Sequence, residues 1–458
     1  MIFPTQKSAP ELYPYRHGIY FAFFHALNWQ VAIGTPTVLF MQQLGANSFQ
    51  VGLVFSWTFL LTPAQVLSTW LLSRYGFKRL TMTGWGARSA CLLVPVVLAL
   101  LAPPEPVPWM IHAMIAATFC YCLLRALGTS ALTTWFYQLV PAPIRGRYWA
   151  TDQITAGVAV VGSLLLYALC FTTLPTYPAF IILYLIAIFG ALMSYRQLKA
   201  LPDVEKPKPI SLHKVATETP RLMTQPGVFR TYLWVSVALF AAITPLSPFA
   251  AYYLRSTARI STAQVLLLTM LIYFGLIAAN LVMRSQMDRI GAKPFFRLSY
   301  LTHILIAVGW IVFLRTGGTA LWMLPPLYLL QGFGSGCWNS ANLSYLAKIL
   351  PEHDRALPVS IHGAVITFLG GITPIVLGLF LKVPGDGPAM NVFAFEAYFA
   401  ALLAVCFGLL LFLKRLPESA GPVGPILQGS WVWRPFRAVA TLVSLVEPND
   451  ADRKPPPR

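Results

Sequence analysis

LVPAPIRGRYWATDQ (residues 139–153) breaks two long apolar runs with two prolines and two arginines, and ILPEHDRALPVSIHG (residues 349–363) interrupts the second half of the chain in a related way. Setting Pro141 on Pro351 places Arg145 on Arg355. A second pair precedes these stretches in the same order. It is SRYGFK at 73–78 and DRIGAK at 288–293, where Arg74, Gly76 and Lys78 correspond to Arg289, Gly291 and Lys293. Two short basic motifs repeated in one order mark an internal duplication.

The runs between the motifs define the class. Hydrophobic residues make up 57% of the 458 and charged residues 10%, whereas a soluble domain carries roughly 25% charged residues. The apolar blocks are long enough to cross a hydrocarbon core of about 30 Å as helix. They predict an all-α polytopic membrane protein with twelve transmembrane helices, at 17–42, 49–72, 79–101, 108–138, 148–171, 176–197, 230–254, 262–284, 294–314, 320–347, 357–382 and 391–413. A polar, proline-rich linker (199–229) separates a first group of six (1–198) from a second (230–415), and a polar tail (416–458) follows. Within that tail, Trp433, Phe436, Ala440 and Val443 share one helical face beside Arg434 and Arg437, the pattern of a helix lying on a membrane surface.

The net charge of +18 is distributed by side rather than gathered into a patch. An even number of spans puts both termini on one side. Of the 33 Lys and Arg, only Arg255, Arg259, Arg315 and Lys382 fall in loops on the other side, and Arg88 and Arg125 lie inside spans. The positive-inside rule then predicts cytoplasmic termini in a multi-pass protein of the cell (inner or plasma) membrane. The basic excess needs no nucleic-acid partner. All six cysteines sit in apolar runs, as small packing residues rather than a disulfide framework. No Walker loop, metal-ligand spacing or catalytic constellation is visible, so no cofactor, metal or enzymatic activity is expected.

With its six-plus-six spans, central linker and R-x-G-x-K and P-x-x-x-R loop motifs, the chain resembles the major facilitator superfamily of secondary transporters over about residues 15–415. The resemblance implies two pseudo-symmetric six-helix bundles around a central cavity, rocking to give alternating access. It also implies that the loop residues Arg74, Gly76, Lys78, Arg145, Asp288, Arg289, Gly291, Lys293 and Arg355 form cytoplasmic gates. The plainer reading is charge retained inside only to orient the spans. The first loop copy departs from the family pattern, with Thr69 and Ser73 at the leading glycine and the acid; the second keeps Asp288 but has Arg284 for the glycine.

The resemblance lines the cavity with spans 1, 4, 7 and 10. Polar residues at helical spacing point the same way. Span 10 carries Gln331, Ser335, Trp338, Asn339 and Asn342 on one face. Span 4 carries Cys122, Arg125, Thr129 and Thr133, and span 1 carries Phe21, His25, Asn28 and Trp29. Substrate contacts are therefore expected from His25, Asn28, Trp29, Arg125, Thr129, Gln331, Trp338, Asn339 and Asn342. The alternative is that these groups hold helices together. Arg125 stands apart, because a charge near mid-span needs water, an acid or a ligand, and spans 1, 4, 7 and 10 hold no acid. Asp152 and Glu396 are the intramembrane acids available for proton coupling, and protons are the candidate coupling ion.

These features predict a monomeric secondary active transporter in the lipid bilayer, moving a small polar or anionic organic solute. The alternatives are a multidrug or lipophilic-compound efflux carrier, and a non-transporting receptor or assembly factor on the same scaffold.

Overall fold

The computed structural model describes Pro4, Gln6 and residues 10–102, 107–204, 212–350, 356–383 and 390–417. It is a twelve-span helical membrane protein. Four spans are broken near the middle: span 1 (Arg16–Ile33 and Thr35–Gln43), span 2 (Ser48–Leu60 and Ala64–Tyr75), span 3 (Phe77–Ala90 and Leu93–Leu101) and span 7 (Val228–Ile243 and Leu246–Ser256). The others are continuous: span 4 (Pro108–Leu139), span 5 (Ala142–Thr173), span 6 (Thr176–Ala200), span 8 (Thr262–Ile290), span 9 (Lys293–Arg315), span 10 (Leu324–Ile349), span 11 (Ala356–Leu381) and span 12 (Val392–Phe412). The linker, expected as a plain connection, contains a helix at Leu212–Thr224. The tail beyond residue 417, with its surface-helix motif, lies outside the described residues.

Among the described residues, nine segments are long and apolar enough to cross a membrane. Spans 1, 2 and 10 fall short of that measure. The first two are interrupted at Gly34 and at Leu61–Pro63, and span 10 carries the polar stripe. Helices that face a cavity need not be as apolar as those that face lipid.

Each break leaves carbonyls without partners, a cost hydrocarbon does not forgive. A proline at position i strips the carbonyl at i−4 of its N–H. At Pro36 the orphan is Ala32, and the Thr37 hydroxyl lies 3.2 Å from that carbonyl and 2.7 Å from Val31's. Pro245 in span 7 orphans Ala241, and Pro374 in span 11 orphans Gly370. The Thr373 hydroxyl sits 2.8 Å from the first and 2.7 Å from the second, so one side chain serves two kinked helices.

The duplication is visible in the backbone. Gly76 and Gly291 both adopt positive φ, 81° and 79°, where an L side chain is strained. Each turns the chain sharply into the next span, which is why both motif copies keep glycine.

The two bundles meet along spans 2 and 11, spans 5 and 8, and the second halves of spans 1 and 7. Close approach depends on glycine: a Cβ on Gly52 would lie 2.3 Å from the Pro374 carbonyl oxygen, and one on Gly378 2.8 Å from the Ser48 oxygen. Cross-bundle hydrogen bonds gather at the end remote from the termini. Gln42 Nε2 donates to the Tyr252 carbonyl (2.9 Å), the Tyr252 hydroxyl to Ala46 (3.3 Å), and Ser48 Oγ to Gly378 (2.9 Å).

Replacing Thr373 by valine keeps the shape and removes the shared donor. We expect Thr373→Val to cost about 1 kcal/mol, read as a fall of the unfolding midpoint in a thermal-shift assay, while Thr373→Ser unfolds with the wild type. A valine variant as stable as the wild type would mean that the two carbonyls find other partners.

Candidate transport cavity

A cavity of about 500 Å³ opens between the bundles near mid-span. The breaks shape it, since Gly34 and Thr35 of span 1 and Ser247 and Pro248 of span 7 lie on its wall. Spans 1, 2, 4, 7, 8 and 10 all contribute. Trp29, Phe55, Phe59 and Tyr273 supply an aromatic surface. Gln30 accepts a 2.5 Å bond from the Tyr273 hydroxyl, linking span 1 to span 8 across the bundle boundary.

Four of the nine expected contacts line this cavity: His25, Trp29, Arg125 and Gln331. The others are occupied elsewhere. Asn28 is buried inside the first bundle, where its oxygen accepts from the Tyr121 hydroxyl (2.5 Å) and its amide donates to Ala187 (3.4 Å). Asn342 accepts from the Tyr232 hydroxyl (2.5 Å) in the second bundle. Trp338 is buried against the Phe240 ring, centroids 5.8 Å apart. The Thr129 hydroxyl donates back to the Arg125 carbonyl (2.7 Å), and Asn339 is exposed, off the cavity wall. For the two buried asparagines, holding helices together is what the geometry shows.

Arg125 is half-buried on the cavity wall, with one N–H 3.5 Å from the Thr58 carbonyl. Behind His25 lies a residue that the sequence reading counted only as an in-span charge, Arg88 of span 3. It is 1% exposed, with its guanidinium carbon 3.7 Å from the Trp85 ring centroid and 5.3 Å from that of Tyr121. Stacking on indole is among the better ways to hold a desolvated guanidinium. Arg88 Nη2 lies 3.2 Å from His25 Nδ1, while its Nε and Nη1 find no partner among the described residues.

This contact fixes the imidazole tautomer. A guanidinium has donors and no acceptor, so Nδ1 must accept and the ring proton sits on Nε2. His25 is thereby presented as a neutral ring with one N–H donor, on a residue that lines the cavity beside Arg125. The cavity wall contains no Asp or Glu among the described residues.

The acids singled out for coupling lie away from this cluster. Asp152 is buried in span 5, its carboxylate 3.3 Å from Gln153 Nε2. Glu396 pairs with Arg315 at 2.8 Å, joining spans 12 and 9 at the end remote from the termini rather than facing the cavity. Among the loop residues, Lys78 donates to the carbonyls of Lys199 (2.9 Å) and Leu201 (2.6 Å), capping span 6 within its own bundle. Arg74 stacks over Tyr75 at 5.7 Å, and Lys293 opens span 9, half-buried. Arg355 lies outside the described residues, as do the side chains of Arg145, Asp288 and Arg289.

Two pseudo-repeated bundles around a central polar cavity define a secondary transporter fold. Residues 233–446 match the sequence pattern of the Major Facilitator Superfamily. Similar solved structures include the nucleoside transporter NupG (TM-score 0.64, 13% identity, 87% of this chain and 98% of that one). A POT family transporter in complex with 5-aminolevulinic acid is also similar (0.66, 11%, 87% and 96%). So is the xylose transporter XylE from E. coli in an inward open conformation (0.65, 13%, 91% and 97%). No curated protein matches by sequence.

Because Arg88 is a buried charge, replacing it by an apolar side chain of similar length should leave stability unchanged or raise it. We expect Arg88→Met to keep or increase the unfolding midpoint while weakening solute binding about 10-fold, from loss of the group that orients His25. A variant that both unfolds and transports like the wild type would make Arg88 a packing residue only.

Proposed function

We propose that this transporter carries small organic anions, carboxylates or phosphates, by alternating access, with Arg125 as the principal charge contact and the His25 Nε2–H as a second donor. The observation that carries this reading is Arg125 and His25 on the wall of the cavity, with Arg88 against His25, and no carboxylate lining that cavity among the described residues. A guanidinium in a membrane interior needs an anion, water or carbonyls around it. Arg125 has one long contact to a carbonyl, so a planar carboxylate or phosphate is its natural complement, taken in bidentate geometry. Trp29 and Tyr273 on the same wall fit the apolar part of an organic solute. The presence of 5-aminolevulinic acid and of sulfate in similar POT structures supports an acidic solute without specifying which one.

With cytoplasmic termini, as the Lys and Arg distribution favours, the cross-bundle bonds around Gln42, Ser48 and Tyr252 seal the outer side. The described conformation is then the one that faces the cytoplasm. Protons remain the candidate coupling ion, with Asp152 as the buried acid nearest that side. The loop motifs keep a gating role in this reading, supported by the matching positive-φ turns at Gly76 and Gly291. A multidrug carrier would have less use for an arginine on the cavity wall backed by a second, buried one.

Flux into proteoliposomes tests the assignment, using a panel of carboxylates, phosphates and their neutral analogues. Arg125→Lys retains charge but loses the fork. We expect about a 10- to 100-fold rise in KM for the transported anion, the loss of one charge-assisted bond pair, with insertion and folding intact. Wild-type transport by Arg125→Ala, or preference for the neutral analogues, would overturn the anion reading and favour a neutral solute bound by Trp29 and Gln331.

A further inference from the structure

A second concavity, independent of the transport cavity, lies on the outer surface of the second bundle. Met223 and Thr224 close it at the termini side, and span 7 (Arg230, Trp234, Ala238) and span 12 (Val405, Gly408, Phe412) form its walls. Its volume is about 830 Å³. Two features set it apart from an ordinary seam between helices.

The first is its floor. Gly408 faces open space: a Cβ built there meets no atom within 4 Å. Elsewhere in this protein, glycines inside spans often admit a neighbouring helix, as Gly332 does with Ile272 and Gly275 with Leu329. Gly408 admits no neighbour and leaves the groove empty of side chain where it is otherwise apolar. The second is its rim. Arg230 donates from Nη1 to the Thr224 carbonyl (3.0 Å) at the end of the linker helix, and Trp234 Nε1 lies 3.4 Å from the Met223 carbonyl. The remaining Arg230 donors have no protein partner among the described residues. Across the groove, Arg415 lies over the Phe412 ring at 5.5 Å, and Lys414 beside it is exposed. The nearby acid, Glu218, is paired with Arg221 at 3.2 Å. An apolar trough with a tryptophan at the interface and, above it, basic groups without an acidic partner among the described residues matches a phospholipid in both polarity and charge.

The geometry points to a binding site for one anionic glycerophospholipid, an acyl chain lying over Gly408 between spans 7 and 12 and the headgroup phosphate held by Arg230 with Arg415 and Lys414. Trp234 and Arg230 also tie down the linker helix that joins the two bundles, so the lipid contacts the element that bridges the rocking units. The occupant is argued from charge and from the bilayer that surrounds this surface; the tail beyond residue 417 is the competing occupant.

Native mass spectrometry of the full-length protein, supplied with dioleoyl phosphatidylglycerol or dioleoyl phosphatidylcholine, reads the site directly. The wild type is expected to retain one phosphatidylglycerol at least 5-fold more than phosphatidylcholine. Arg230→Gln should remove that preference, and Gly408→Leu, which has room for its side chain, should lose the retained lipid altogether while unfolding at the wild-type midpoint. Equal retention of both lipids by the wild type, or no change in either variant, overturns the proposal. So does cross-linking of the tail to a cysteine placed at 408 that phosphatidylglycerol does not compete away.

Discussion

In hydrocarbon a backbone carbonyl finds its partner within the protein or goes without, and the places where this chain breaks its helices follow from that constraint. Pro36, Pro245 and Pro374 each free a carbonyl, and Thr37 and Thr373 stand where those carbonyls can be met. The breaks are not scattered. Those of spans 1 and 7 free a second half of each helix to pack against its counterpart in the other bundle, and they open onto the cavity wall at Gly34 and Pro248. Thr373 bridges spans 7 and 11 at two kinks, so these helices are fixed to each other while their neighbours across the boundary are held by glycine contacts and a few hydrogen bonds.

The second constraint is charge without counter-charge. The wall that carries Arg125 and His25 has Arg88 directly behind it, stacked on Trp85 and shielded from solvent. Burying a guanidinium next to a second one raises the free energy of the empty cavity. An anion entering beside Arg125 lowers it again, and a neutral solute does not. His25 cannot relieve the strain by taking a proton, because its Nδ1 already faces a donor. His25, expected as a substrate contact, is held by its neighbour as a fixed hydrogen-bond donor.

Much of the fold was legible in the chain, and the reasons are specific. Twelve apolar runs and a repeated R-x-G-x-K motif translate into helices and into matching positive-φ glycines at 76 and 291, since both signals depend on backbone requirements that few residues satisfy. The cavity was legible only in part. Helical spacing places Gln331, Trp338, Asn339 and Asn342 in one sector of span 10, yet it gives no depth and no neighbour. Tyr232 claims Asn342, and Phe240 covers Trp338, leaving Gln331 on the wall. Asn28 was lost to Tyr121 for the same reason. Arg88 lies on span 3, outside the spans that the family resemblance assigns to the cavity. The signal was there: an arginine three residues after a tryptophan, inside a span with no acid.

The polarity of the spans completes the argument. Among the described residues, spans 1 and 10 are not apolar enough to cross a membrane by the measure that nine other segments meet, and both contribute to the cavity wall. Spans 5, 6, 9 and 12 instead expose leucine and phenylalanine outward, as at Leu169, Leu192, Leu305 and Phe407. Spans 4, 7 and 8 meet that measure and line the cavity as well, so low hydropathy marks only part of its wall. It arises because a side chain facing a water-filled cavity is not required to satisfy the lipid, and breaks, glycines and amides accumulate there. An arginine is tolerated in that setting because water, carbonyls or an entering ligand can reach it there.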